Sequence, residues 1–278
     1  MVGTSLHIGL NHVSPTHYGS DQPLRSAVAD ALAMQKIADN AGFSSRILTD
    51  SQATAGGIAK EISLQAQQLK SGDIFFVSYA GHGAQLFDGS GDEPDSLDET
   101  WCSFDRMILD DELFGLYAGF KQGVRILVIS DSCHSGSVAR MVDFSDQDCL
   151  VADGPPMPED PLIRFRTLDQ ETARAVYLDN QNRYDEIRAF SAIDGRATLS
   201  CSLQLLAACQ DNQLAADGPN NGYFTSQMLY HWANGSFPGS YTELFQKLEA
   251  AMPRRQKPAR QILGEQNADF LNQRPFTL

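Results

Sequence analysis

The spacing of apolar positions changes several times along the chain, and the changes predict an alternation of strands and helices. Ser5–Asn11 reads as a strand that ends in a loop of turn formers: Ser14, Pro15, Gly19, Asp21 and Pro23. Leu24–Ala41 places Leu24, Val28, Leu32 and Ile37 near helical spacing and stops at Gly42. Phe43–Leu48 is a short strand. Thr54–Leu69, with Ile58, Ile62 and Leu69, is a second amphipathic helix closed by Gly72. Asp73–Tyr79 (DIFFVSY) and Arg125–Asp131 (RILVISD) are apolar runs, the pattern of strands covered on both faces. This rhythm predicts a mainly parallel sheet of about six strands between layers of helices, an α/β fold. Asp143–Arg188 interrupts it. Pro155, Pro156, Pro158 and Pro161, many charges and little periodicity read there as a surface excursion or mobile connection. Leu203–Cys209 resumes as a core strand, and Gly222–Trp232 and Tyr241–Met252 read as helices. The tail from Pro253 onward has no assignable pattern, and Arg254-Arg255-Gln256-Lys257 reads as solvated surface.

Composition narrows the class. With 278 residues, 42% of them hydrophobic, a core is viable without disulfides or a structural metal. No apolar run approaches the roughly 18 residues of a membrane span, and no signal peptide is visible at Met1–Ser5. A formal net charge of −14 argues against nucleic acid and anionic membranes as partners, because both reward clustered positive charge. The five cysteines are an odd number without a CxxC pair, so neither a zinc finger nor a thioredoxin-like motif is supported. A reduced, cytoplasmic protein is the expectation. Cys102, Cys149, Cys201 and Cys209 read as structural thiols.

Cys133 reads differently. In open parallel sheets, sites lie beyond the carboxyl ends of strands. DIFFVSY runs into Ala80-Gly81-His82-Gly83, and RILVISD into Ser132-Cys133-His134-Ser135-Gly136. Flanking glycines let the backbone turn sharply and approach a ligand. A histidine and a cysteine then sit on adjacent rims of one crevice. A free thiol is mostly protonated at neutral pH, and a nearby imidazole can take that proton and later give it to a leaving amine. Backbone N–H groups of Cys133 and Gly83 are placed to face a developing oxyanion. His7, His12, His17, His134 and His231 are assigned no chemistry.

YAGHG (Tyr79–Gly83) and DSCHSG (Asp131–Gly136) resemble the catalytic histidine and cysteine motifs of the metacaspases and prokaryotic orthocaspases, within the caspase-like cysteine peptidases. LRSAVADA (Leu24–Ala31) is similar to that family's LRGCxNDA, and ACQDNQLAAD (Ala208–Asp217) to its SGCxDNQTSAD. GDEPDSLDET (Gly91–Thr100) and LDDEL (Leu109–Leu113) also match. The resemblance implies one caspase-like peptidase domain. Residues 1–142 would form a large-subunit-like region, 143–190 a connecting and processing segment, and 191–278 a small-subunit-like region.

It also implies an endopeptidase that cleaves protein or peptide substrates after Arg or Lys. Cys133 is the nucleophile, His82 the proton shuttle, and Asp131 and Asp30 the carboxylates that bind the cation. The substrate pocket departs from the family at Ala80 (usually Ser) and Ala27 (usually Cys), which removes polar contacts. No cofactor is needed for the chemistry. The family's calcium carboxylates map onto Asp98, Asp110 and Asp111, although the stretch between these motifs is shorter here. Self-cleavage is expected in the connection, which holds Arg164, Arg166, Arg174, Arg183 and Arg188, although each arginine taken singly reads as a surface residue. The expected state is a monomer. The rival readings are a non-catalytic scaffold for basic peptides, an Asp-specific caspase-like peptidase, and a metal-dependent hydrolase with His82, Cys133 and His134 as ligands.

Overall fold

A computed structural model describes residues 1–87, 97–133, 164–194, 199–210 and 213–278, with only the backbone at 97, 98 and 192–194. The connection's proline-rich first part, His134 and Cys149 lie outside the described residues.

The central sheet has six strands: β1 (Gly3–Gly9), β2 (Ser44–Thr49), β3 (Ile74–Ala80), β7 (Arg125–Asp131), β9 (Ser202–Ala207) and β11 (Ala259–Gly264). Their order is β11-β9-β7-β3-β1-β2, parallel except for the antiparallel edge strand β11. A second sheet joins β4 (Gly83–Phe87), β5 (Leu97–Cys102) and β6 (Met107–Leu109). A third pairs β8 (Arg164–Phe165) with β10 (Ala216–Asp217).

Alternation within the buried strands sorts the core into two layers. Phe75, Val77 and Tyr79 of β3 join a cluster with Ile58 and Ile62 of α3 (Ala55–Gln68) and Leu113 and Tyr117 of α4 (Asp110–Ala118). Tyr18 of the one-turn helix α1 (Pro15–Tyr18) belongs to the same cluster. Ile74 and Phe76 face the other way. They pack with Met34 and Ile37 of α2 (Ala27–Asn40), Met228 of α7 (Tyr223–Trp232), Leu244 and Leu248 of α8 (Tyr241–Ala251), and Phe270 of α9 (Ala268–Asn272). Each large apolar side chain buried this way is worth about 1.5–3 kcal/mol. Among the described residues, no helix is long and apolar enough to cross a membrane.

The structure corrects three readings. The described part of the connection is ordered: it forms β8, α5 (Gln170–Asp179) and α6 (Gln181–Asp194). Charged residues hid the helical period there, for Ala173, Val176 and Tyr184 are buried between exposed polar positions. The tail forms β11 and α9. Finally, Gln256, read as surface, is fully buried: its Oε1 accepts from Ala216 N (3.2 Å) and its Nε2 donates to Ala208 O (3.4 Å).

His7 sits in the middle of β1, buried between Ser5 Oγ (2.9 Å) and Ser78 Oγ (2.8 Å). Burial pushes its pKa down to about 3. The unfolded chain takes up a proton here near pH 6.5 that the folded chain refuses. His7 therefore lowers stability progressively as pH falls from about 6.5, by about 1.4 kcal/mol per pH unit at most. Urea unfolding at pH 7 and pH 5 checks this. His7→Gln should lose less stability between the two than the unsubstituted chain, and an equal loss would contradict the assignment.

Candidate active site

The two principal strand ends are neighbours. In the β3–β7 ladder Ala80 pairs with Asp131, and from there Gly81-His82-Gly83 and Ser132-Cys133 leave the sheet side by side. Gly83 must be glycine. A Cβ there would lie 2.0 Å from the Cys133 carbonyl oxygen, a contact the backbone cannot relieve.

The connecting segment threads between these two rims. The carbonyl oxygen of Arg166 accepts from both Gly83 N and Cys133 N, each at 3.0 Å. On one side of this residue Arg166 N donates to Ala215 O at 3.0 Å, and Phe165 and Arg164 pair antiparallel with Ala216 and Asp217. On the other side Thr167 bridges to Gly83 and Leu168 N donates to Gly83 O at 2.8 Å. The segment is thus held in extended form across the site.

The Arg166 side chain is fully buried among three carboxylates. Nη2 meets Asp30 Oδ2 at 2.5 Å and Asp217 Oδ1 at 3.1 Å, and it also donates to Ser26 Oγ at 2.9 Å. Nη1 meets Asp131 Oδ2 and the Asp131 carbonyl, both at 3.1 Å. Further donors hold each carboxylate in place. Asp30 accepts from Asn221 Nδ2 (2.8 Å) and Gly222 N (3.1 Å), and Asp131 from Thr225 Oγ1 (2.7 Å) and N (3.1 Å). Asp217 accepts from Arg25 N and Ser26 Oγ, both at 2.6 Å. Burial works against the guanidinium's charge, but Asp131, Asp30 and Asp217 outweigh it and raise the Arg166 pKa above its ordinary value. Burial pushes the Asp30 carboxyl up to about 7 despite the opposing pull of Arg166. A planar fork among several carboxylates is the geometry in which arginine outperforms lysine.

His82 is buried, and burial pushes its pKa down to about 4. Its Nε2 lies 2.9 Å from the Gln22 carbonyl oxygen, which makes Nε2 the protonated nitrogen and leaves Nδ1 a lone pair. Among the described residues Nδ1 is buried beyond hydrogen-bond distance of any partner, and the Thr167 backbone beside the ring favours its protonated form, though less than burial opposes it. Gln22 takes a positive φ of 42° to present that carbonyl, a sparsely populated conformation for a residue with a Cβ. The Cys133 thiol accepts from Ala215 N at 2.5 Å. Cys209, read from sequence as merely structural, touches it. That contact, then burial, pushes the Cys209 pKa up.

The remaining predicted residues are placed as follows. Ala80 and Ala27 are buried together with Leu24, so the two departures from the family pattern line one another. Asp110 and Asp111 open α4, where Asp110 Oδ1 accepts from Asp111 N at 2.9 Å, and Asp98 lies on the neighbouring strand β5. The described residues contain no group of three His, Cys, Asp or Glu able to hold a metal. The Asp98 side chain and residues 88–96 lie outside the described residues. His134, the third ligand of the metal-site reading, lies outside the described residues. Sequence reasoning missed Asp217, Ser26 and the Gln22 carbonyl. Asp217 closes the ACQDNQLAAD match, which was the available signal.

Comparison with known proteins agrees with this architecture. The family model "Metacaspase, peptidase C14 domain" matches residues 4–142, half of the chain. The chain belongs to the metacaspase family. Metacaspases are cysteine endopeptidases with the caspase-like α/β fold, which the six-stranded sheet reproduces. Metacaspase-7 of Arabidopsis thaliana is 33% identical over 149 residues, covering 50% of this chain and 36% of that protein. Metacaspase-1 of Candida albicans is 26% identical over 257 residues, covering 81% of this chain and 56% of that protein. The chain therefore spans well under two thirds of these curated relatives. The crystal structure of protein GSU0716 from Geobacter sulfurreducens superposes with a TM-score of 0.86 at 40% identity, covering 100% of this chain and 99% of that one.

Proposed function

We propose that this metacaspase cleaves peptide bonds after arginine, and after lysine less well, and that its own Arg166–Thr167 bond is a substrate. One observation carries the reading: the Arg166 carbonyl oxygen lies between the N–H groups of Gly83 and Cys133 while its guanidinium fills the pocket of Asp30, Asp131 and Asp217. Cys133 Sγ attacks the Arg166 carbonyl carbon after giving its proton to His82 Nδ1. The oxyanion that forms gains charge against the two N–H groups. His82 then delivers the proton to Thr167 N, the C–N bond breaks, and water hydrolyses the acyl-enzyme with His82 as base. The Gln22 carbonyl holds the imidazole in the tautomer this requires.

The test is hydrolysis of matched fluorogenic peptides ending in Arg, Lys and Asp, by the unsubstituted chain and by Cys133→Ala, each with calcium or chelator. Arg cleavage above Lys, none after Asp, and complete loss in Cys133→Ala are expected. Cleavage after Asp would favour the caspase-like alternative. No cleavage of any peptide or of the chain itself would favour a scaffold that holds basic peptides uncut. The chelator arm decides the calcium expectation for Asp98, Asp110 and Asp111, since full activity without the ion rules out an obligatory role.

A further inference from the structure

Resting on the peptidase reading, we propose that Ala215–Asp217 is the strand on which substrates pair, and that it selects a large apolar residue immediately before the basic one.

Three observations carry this. First, the pairing is main-chain. Arg166 N donates to Ala215 O, and Phe165 and Arg164 stand opposite Ala216 and Asp217. Any extended peptide can reproduce those bonds, as in other cases of strand addition. Second, successive side chains of a strand point to opposite faces. With Arg166 directed into the carboxylate pocket, Phe165 turns the other way, where it is half-buried against the cluster that includes Cys133, Ala215 and Ala216. Third, the recognition strand is braced from behind. Gln256, fully buried, bonds Ala216 N and Ala208 O, which fixes the strand's height above the core. The position one further back is different. Arg164 is exposed, and its side chain donates to the Pro23 carbonyl, a backbone group that does not distinguish one side chain from another.

Half-burying a phenylalanine is worth about tenfold in an equilibrium or rate ratio, from the apolar area involved. The experiment uses the whole 278-residue chain in two formats. In trans, peptides ending Phe-Arg, Leu-Arg, Gly-Arg and Asp-Arg are compared by kcat/KM. In cis, the self-cleavage rates of Phe165→Leu, Phe165→Gly and Phe165→Asp are compared with that of the unsubstituted chain. Phe-Arg and Leu-Arg are expected to exceed Gly-Arg by about tenfold and Asp-Arg by more, with the same order in cis and every cut still after arginine. Substitution two residues before the arginine, Arg164→Ala, should change the rate less than twofold. Equal rates across the series, with arginine still required, would overturn this inference and leave the peptidase reading standing. Failure to cleave any arginine peptide or the chain itself would overturn both.

Discussion

Left at neutral pH, the purified chain is expected to cut itself between Arg166 and Thr167, and Cys133→Ala is expected to remain whole. The rate difference should be on the order of 10⁶-fold, the scale on which removing the nucleophile of a peptidase acts. Intact-mass measurement checks it: the products are residues 1–166 and 167–278, and a cut after Arg164, Arg174, Arg183 or Arg188 instead would contradict the placement. Arg166→Ala should also block the cut, while Arg166→Lys should slow it, because an ammonium cannot engage three carboxylates as a planar fork does. The two products should stay together under native conditions. Leu168 is buried and bonded to Gly83 O, and the Arg166 side is held by its ion pairs, so neither new terminus is free to leave at once. Separation only in denaturant, with co-elution in native gel filtration, is the expected behaviour.

Much of this architecture was legible in the order of residues. DIFFVSY and RILVISD are strands covered on both faces, and burial on both sides is what removes polar alternation from a sequence. Glycines around His82 marked a close backbone approach, which the Gly83–Cys133 contact makes concrete. Arg166 was not singled out. Its burial depends on Asp30, Asp131 and Asp217, which lie 136, 35 and 51 positions away, and no local pattern encodes such a meeting. The five arginines of the connection looked alike because each is charged. The distinguishing local sign was the apolar Phe165 and Leu168 on either side of Arg166 and Thr167, inside a polar stretch. The β4–β5–β6 sheet was illegible for a related reason. It is short, and its strands carry Gln85, Asp98 and Thr100 beside apolar residues.

Removing the Arg166 side chain should also destabilise the fold, in a way that depends on pH. In an uncleavable Cys133→Ala background, Arg166→Met leaves three carboxylates buried around a neutral side chain. An uncompensated buried charge of this kind costs about 3–5 kcal/mol, more than the pair itself contributes when intact. The sign with pH follows from the same picture. Removing the guanidinium takes away the charge that opposes burial at Asp30, so that carboxyl moves further above its unfolded value of about 4. Between that value and its raised folded pKa, the folded state binds more protons than the unfolded one, so stability falls as pH rises through the window. Asp30 already lies high, at about 7, even with Arg166 beside it. The double variant should therefore unfold at a much lower urea concentration than Cys133→Ala at pH 8 and recover part of the difference at pH 5. Asp217→Asn added to it should restore stability at pH 8, since it removes one of the stranded charges while keeping the shape. Equal midpoints for Cys133→Ala and the double variant at pH 8 would mean that Arg166 does not occupy the pocket in solution, and the self-cleavage reading would lose its geometry.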